Sequence, residues 1–341
     1  MDRTGAAPIG LAFWGTEPVR TMVDYAQLAE QVGFESIWLV DTQLLCRELY
    51  VTLAACAMAT ERLKLASGVT VPMTRHESVT ASALATLQEL SGGRALAGIS
   101  TGHSALRNIG EQPAHIADLA IYVSAVRQLM AGESSVFASG SEGALTWLPE
   151  PASVPFHIAA SGPRLTRAAA GMADGVILLQ GAAPDLVDGA IDLVRQGAAD
   201  AGRLESDVEK TVWVYVGLDD DQERAYDQVR ARVSAVLRMV DPSRLEGDDR
   251  AVAEAVRREY DMFAHADSMP KHAALVPERL LDRYAIAGTP AEVTARISAL
   301  ANDERIDRVV VSPQICAPGQ SITRNFIAAF GEHVLPNVEK C

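Results

Sequence analysis

The chain has 341 residues, 48% hydrophobic and 22% charged, which is enough apolar material for a large core and too balanced a composition for disorder. A formal charge of −14 argues against nonspecific nucleic-acid binding, whose affinity comes from Lys and Arg neutralising phosphates. It leaves room for a locally basic pocket that takes a small anion.

Cys46, Cys56, Cys316 and Cys341 form no CxxC pair, and no HExxH or acidic metal cluster occurs, so neither a metal site nor a disulfide framework is expected. The first residues, MDRTGAAPIGLAFWG, lack a basic region ahead of an apolar run. No stretch approaches the ~20 apolar residues of a membrane span. The expectation is a reduced, cytoplasmic chain that binds neither membrane nor nucleic acid.

In chain order the pattern alternates short β-rich runs with amphipathic helical ones. Ile9–Phe13 precedes a helix over Thr21–Val32, capped by Gly33. Ser36–Val40 precedes Glu48–Thr60, Leu63–Val71 precedes Ser78–Leu90, and Ala95–Ser100 precedes Ala114–Met130. In the second half Phe156–Ala159 precedes Arg164–Met172, Gly175–Leu179 precedes Pro184–Ala201, Thr211–Gly217 precedes Asp221–Met239, and Arg308–Ser312 precedes Ile322–Val334. Eight such units predict an α/β fold closed as a (β/α)8 TIM barrel, with an open doubly wound sheet as the other arrangement. Two segments break the rhythm: Ser134–Leu148 reads as a hairpin inserted before the fifth strand, and Asp241–Asp282 as a helical insertion after the seventh. Neither has apolar residues enough for its own core, so residues 1–341 read as one domain.

In a barrel the site is built where the strands end. Ser161-Gly162-Pro163 joins a strand directly to a helix, and free N–H groups at such a start beside a Gly make a phosphate site. A plain capped turn would use the same residues. Thr101-Gly102-His103-Ser104, with Arg107 behind it, offers close backbone approach, a donor and a side chain titrating near neutrality. An exposed histidine and a surface arginine would read the same way. Gly68-Val69-Thr70 interrupts the third strand, as a bulge or a face for a flat ligand would. Gly98-Ile99-Ser100-Thr101-Gly102 matches the hydrolase elbow GxSxG, but Ser100 falls on the strand and not on a strand-to-helix turn.

Taken in order, these segments resemble a known family. Gly33–Trp38 with Asp41, Leu65–His76, Leu90–Arg94, Thr101–Gly110, Ala159–Arg164, Ala173–Val176 and Ala287–Pro290 resemble the luciferase-like monooxygenases, in the methylenetetrahydromethanopterin-reductase-like branch. The resemblance spans roughly residues 9 to 315. It implies a TIM barrel, often a homodimer, with a flavin ring at the mouth against a non-proline cis peptide that falls at Gly68–Val69. The cofactor-binding set it implies is Gly68, Val69, Thr70, Gly102, Ser104, Arg107, Ala160, Ser161, Gly162 and Gln180, the phosphate lying near Ser161 and Gly162. Thr42 follows Asp41 where relatives carry a histidine, which argues against sugar-phosphate dehydrogenation with F420. His103 stands where an acid is common and is the first candidate for proton transfer, with Asp41 second; Glu77 replaces a common Pro.

The expected function is a monooxygenase acting on a small organic substrate with O2 and reduced FMN supplied by a partner flavin reductase. F420-dependent hydride transfer is the alternative, and a non-catalytic flavin-binding or complex-partner protein the second. Trp14, Met73, Cys46 and Cys316 are expected as soft, apolar walls of the mouth.

Overall fold

A computed structural model describes residues 5–137, 139–262, 264–315 and 321–338. Its strands are β1 (Ile9–Trp14), β2 (Ser36–Val40), β3 (Lys64–Ser67), β4 (Ala95–Ile99), the short pair β5 (Ser135–Val136) and β6 (Glu142–Gly143), then β7 (Phe156–Ala160), β8 (Gly175–Leu178), β9 (Glu209–Leu218), β10 (Ala285–Gly288) and β11 (Arg308–Ser312). Around them run α1 (Val19–Val32), α2 (Leu49–Ala59), α3 (Glu77–Ser91), α4 (Ser104–Arg107), α5 (Ile116–Met130), α6 (Pro163–Met172), α7 (Pro184–Asp200), α8 (Gln222–Met239), α9 (Gly247–Glu259), α10 (Glu278–Tyr284), α11 (Pro290–Ala301) and α12 (Ile322–His333).

Eight parallel strands close a ring in the order β9-β11-β1-β2-β3-β4-β7-β8, and β8 pairs with β9 to complete it. This is the expected (β/α)8 barrel, not an open sheet. β5 and β6 form the expected hairpin, antiparallel and two residues long on each side. One strand escaped the sequence reading: β10, Ala285-Ile286-Ala287-Gly288, lies along the far half of β9 and pairs with no other strand. Four residues with two alanines and a glycine carry too little β-branched or aromatic signal to stand out. The third strand is also shorter than predicted. It ends at Ser67, after which the chain passes through a cis Gly68–Val69 peptide to a single bridge between Thr70 and Ile99.

Side-chain alternation explains the two layers of core. On β9, Val212, Val214 and Val216 face the helices, whereas Trp213 and Tyr215 belong to the barrel interior. Trp38 fills that interior, fully buried and edge-on to Trp213 at 6.3 Å between ring centroids. The Asp241–Asp282 insertion packs against α8. Its Val256 and Val276, with Leu280 and Leu281 beside them, pack on Ala225, Val229 and Val233 of α8. No helix among the described residues is long and apolar enough to cross a membrane.

The end of the barrel away from the mouth is closed by charge. Arg308 on β11 donates to Glu35 (Nε–Oε2 3.1 Å) and to Glu209, and Lys64 pairs with Glu35 at 2.6 Å. Beside this network His157 of β7 is fully buried, with neither ring nitrogen hydrogen-bonded. Burial, and then the nearby Arg308, push its pKa from 6.5 down to about 3. The unfolded chain therefore takes up this proton near pH 6.5 while the folded chain resists it, so stability falls as pH drops through that window. His157→Leu is expected to flatten the loss of urea midpoint between pH 6.5 and 4; slopes parallel to those of the wild-type protein would show that His157 is not the group responsible.

Candidate active site

A cavity of about 640 Å³ occupies the mouth, formed where β1, β2, β3, β4, β7 and β9 end and roofed by α8. Of the residues singled out from sequence, Asp41, Gly68, Val69, Gly102, His103, Ser104, Arg107 and Ser161 line it. A second cavity of about 780 Å³ shares Thr101 and Ser161 with the first and is lined by Gly162 and Gln180. Thr70 and Ala160 are buried outside both linings. Among the expected soft walls Trp14 lines the mouth, Met73 is exposed on the surface and Cys46 lies outside the linings. Cys316 lies outside the described residues.

The wall at Gly68–Val69 depends on close packing behind it. A Cβ on Gly98 would stand 2.1 Å from the Ser67 carbonyl oxygen and 3.0 Å from Val69. That carbonyl-to-glycine approach lets Ser67 Oγ and the Thr70 amide both donate to the Gly98 oxygen, at 2.8 and 2.9 Å. Ser100, the serine of the apparent elbow, donates to the Ala159 oxygen at 2.8 Å; that hydrogen bond links β4 to β7.

The end of β7 leads straight into α6, whose first residue is Pro163 and whose cap, Gly162, has no side chain to offer. A Cβ at Gly162 would meet nothing within 4 Å, so this face of the backbone is open and the first amides of a ten-residue helix are left for a ligand. Gln180 is anchored by its amide nitrogen to Thr166 Oγ1 at 3.1 Å and keeps a buried, unpartnered Oε1. Trp213, on the mouth wall, has a buried Nε1–H without an acceptor.

Asp41 is committed to its neighbours. Its Oδ2 accepts from Thr70 Oγ1 at 2.8 Å and from Arg75 at 2.5 Å, and its Oδ1 accepts from Gln43 at 3.0 Å. Arg75 continues to Glu48 at 2.7 Å and lies 5.2 Å over the Tyr50 ring. The pairing explains how a carboxylate only 4% exposed is tolerated beside the mouth.

His103 meets a different neighbour. Arg238 of α8 reaches its Nδ1 at 2.9 Å and stands farther off, at 3.5 Å, from its Nε2; a guanidinium has only donors, so the short contact makes Nδ1 the acceptor and leaves the ring proton on Nε2. Burial first, then Arg238 and Arg107, lower the His103 pKa to about 4. The imidazole is thus neutral at pH 7. It can lend a hydrogen bond from Nε2 and is not an imidazolium acid. Sequence reasoning missed Arg232, Arg238, Trp213, Tyr215 and His265, all of which line the mouth. One signal was available for Arg232, a cation set into the buried stripe Ala225, Val229, Val233 and Val236 of α8.

With this geometry in place, the comparisons with known proteins bear on function. The chain is 31% identical over 300 residues to a 5,10-methylenetetrahydromethanopterin reductase from Methanolobus tindarius, covering 85% of this chain and 90% of that one. It is 30% identical over 335 residues to an F420-dependent glucose-6-phosphate dehydrogenase from Nakamurella multipartita, covering 93% and 92%. In structure it resembles a coenzyme F420 dependent tetrahydromethanopterin reductase from Methanopyrus kandleri, with a TM-score of 0.74 at 22% identity over 97% of this chain and 99% of that one; this last likeness speaks for the fold alone.

These relatives overturn the expectation of an FMN monooxygenase fed by a reductase. They are named a reductase and an F420-dependent dehydrogenase. The sequence motifs did not separate the two because they build a ring wall and a phosphate site, and flavin and deazaflavin share both the ring outline and the phosphate. Residues 3–305 match the family model described as luciferase-like monooxygenase, and the chain belongs to that family, in the branch that holds the methylenetetrahydromethanopterin reductases.

Proposed function

We propose that the chain is an F420-dependent oxidoreductase that moves a hydride between the deazaflavin and a small organic substrate held in the barrel mouth. The observation that carries this reading is kinship at 30% identity or more, over most of the chain, with a methylenetetrahydromethanopterin reductase and an F420-dependent dehydrogenase. The site supports it in three ways. The mouth has the volume of a small-molecule site, the uncapped start of α6 suits a phosphate, and the Trp213 Nε1–H awaits an acceptor.

When bound, F420 supplies a ring carbon that accepts or releases a hydride. In this reading Ser161, Gly162 and the first amides of α6 hold the phosphate end, with Gln180, Gly102, Ser104 and Arg107 around it. Gly68 and Val69 back the ring. The apolar walls keep water from the reacting carbon. Hydride transfer to a carbonyl also requires one proton, which comes from solvent at the mouth, and His103 is the group placed to steady the substrate oxygen by donating a hydrogen bond from Nε2. Asp41 is not placed to move that proton, since Thr70, Gln43 and Arg75 already occupy its oxygens. A separate flavin reductase has no part in this chemistry.

The chain also reads as a homodimer. α2, Leu-Tyr-Val-Thr-Leu-Ala-Ala-Cys-Ala-Met-Ala, has no charged residue, yet Val51 and Met58 are exposed on it. Val79 of α3 and Ile121 of α5 are exposed as well. A helix apolar on every side belongs in an interior, and a second copy is the partner that covers it.

Titration of the purified chain with F420 and with FMN is expected to give at least tenfold tighter binding of F420; tighter FMN binding sinks the F420 reading. His103→Ala, assayed with F420 against a panel of small alcohols and carbonyl compounds, should lower turnover by about 10²–10³-fold with F420 affinity little changed. Turnover equal to wild type would remove His103 from the reaction. Met58→Glu should halve the mass seen by analytical ultracentrifugation, and an unaltered mass would place the dimer contact elsewhere.

A further inference from the structure

The mouth of this acidic protein is basic. Four arginines line it, Arg107, Arg232, Arg238 and Arg257, against one acid, Asp41, whose charge Arg75 already balances. Arg257 is turned to the carbonyls of Arg238 and Val240. Arg232 and Arg238 are different. Among the described residues neither pairs with a carboxylate, and each keeps a buried Nε–H without an acceptor.

Both guanidiniums are held in place by aromatic faces. Arg232, 5% exposed, lies 5.2 Å from the Trp14 ring centroid and donates to the His265 carbonyl oxygen at 2.5 Å. Arg238 lies 4.6 Å over Tyr260. Apart from Trp14, the Asp241–Asp282 insertion supplies these supports: Tyr260 and His265 Nδ1 are hydrogen-bonded at 2.6 Å, and the His272 ring lies tilted at 4.1 Å from the Tyr260 ring. Burial, then Arg232 and Arg238, lower the His265 pKa to about 3, so this histidine adds no charge at neutral pH. Two desolvated cations, kept rigid and left without a counter-charge, make a site for an anion.

Arg232, at Trp14, lies across the ring from the phosphate end of the cofactor, whereas Arg238 meets His103 in the loop beside that end. Trp14 ends β1 and Ser161 follows β7, and these two strands are opposite one another in the ring. Beside the pair the mouth is lined by Trp14, Val236 and Met239 on an apolar side and by His103 and His265 on a polar one.

We infer that Arg232 and Arg238 form the substrate-specificity site of this enzyme and select an organic anion with an apolar body, its carboxylate or phosphate group held between the two guanidiniums. That assignment to the substrate rests on the hydride-transfer reading above, whereas anion binding by the pair does not.

Calorimetry with benzoate and its neutral isostere benzamide tests it, on the chain with and without F420. Benzoate should bind saturably in both forms and at least tenfold more tightly than benzamide. Arg238→Gln and Arg232→Leu should each weaken benzoate tenfold or more while leaving benzamide within threefold. Should Arg232→Leu fail to fold, Arg238→Gln, at a half-buried position, still decides. Equal affinity for benzoate and benzamide, no benzoate binding by wild type, or benzoate binding untouched by Arg238→Gln would overturn the anion site. Loss of benzoate binding on loading F420 would overturn its assignment to substrate and give the arginines to the cofactor. Tighter binding of glucose 6-phosphate than of benzoate would overturn the apolar body. A chain that takes benzoate and rejects F420 would discard the cofactor reading alone.

Discussion

Closure of the ring by β9 is the constraint on which the rest of the molecule depends. Its first four residues pair with β8, Thr211 to Tyr215 pair with β11, and its last four pair with β10. A strand of ten residues is nearly twice the usual length, and the excess does separate work at each end. One end carries Glu209 into the charged plug with Arg308, while the other sets Trp213 and Tyr215 into the mouth wall. Sealing one end with ion pairs and leaving the other lined by aromatic rings restricts ligands to a single entrance.

The mouth then contains two kinds of buried charge with opposite meanings. Asp41 and Arg75 neutralise each other and pin the third-strand loop through Thr70, so their role is to hold the ring wall still. Arg232 and Arg238 rest on aromatic faces instead of carboxylates. In water such stacking is a modest attraction, typically about 0.5–1 kcal/mol, far below what a buried ion pair exchanges. It orients a guanidinium without quenching it. His103 sits between the two regimes, oriented by Arg238 and kept neutral first by burial and then by Arg238.

Much of the architecture was legible because barrel strands and their helices differ in period. Ser36–Val40 and Arg308–Ser312 were read to the residue, since both are unbroken apolar or β-branched runs between clear turn signals. Ala285–Gly288 was invisible for the reverse reason, and the third strand was overextended because LASGVTV continues the apolar pattern past the point where the backbone turns. The small-residue loops that face the ligand were legible as well, glycine and serine being the residues that permit close approach. Pairings across the fold were not. Asp41 meets Arg75 and His103 meets Arg238 across 34 and 135 residues, and no local spacing encodes such a meeting. The choice of cofactor was beyond the motifs too, since they describe features that both cofactors share.

The position of β10 outside the closed ring has an evolutionary consequence. The Asp241–Asp282 segment follows α8 and runs into α10, and the chain next meets the sheet at β10, which the ring does not need for closure. Insertions, deletions or wholesale replacement there would leave the circuit of barrel hydrogen bonds intact. Of the residues that support the two arginines, Tyr260 and His265 lie in this stretch and Trp14 lies on the ring. Lineages can therefore re-aim Arg232 and Arg238, which α8 itself supplies, by exchanging the segment that braces them while inheriting the ring unchanged.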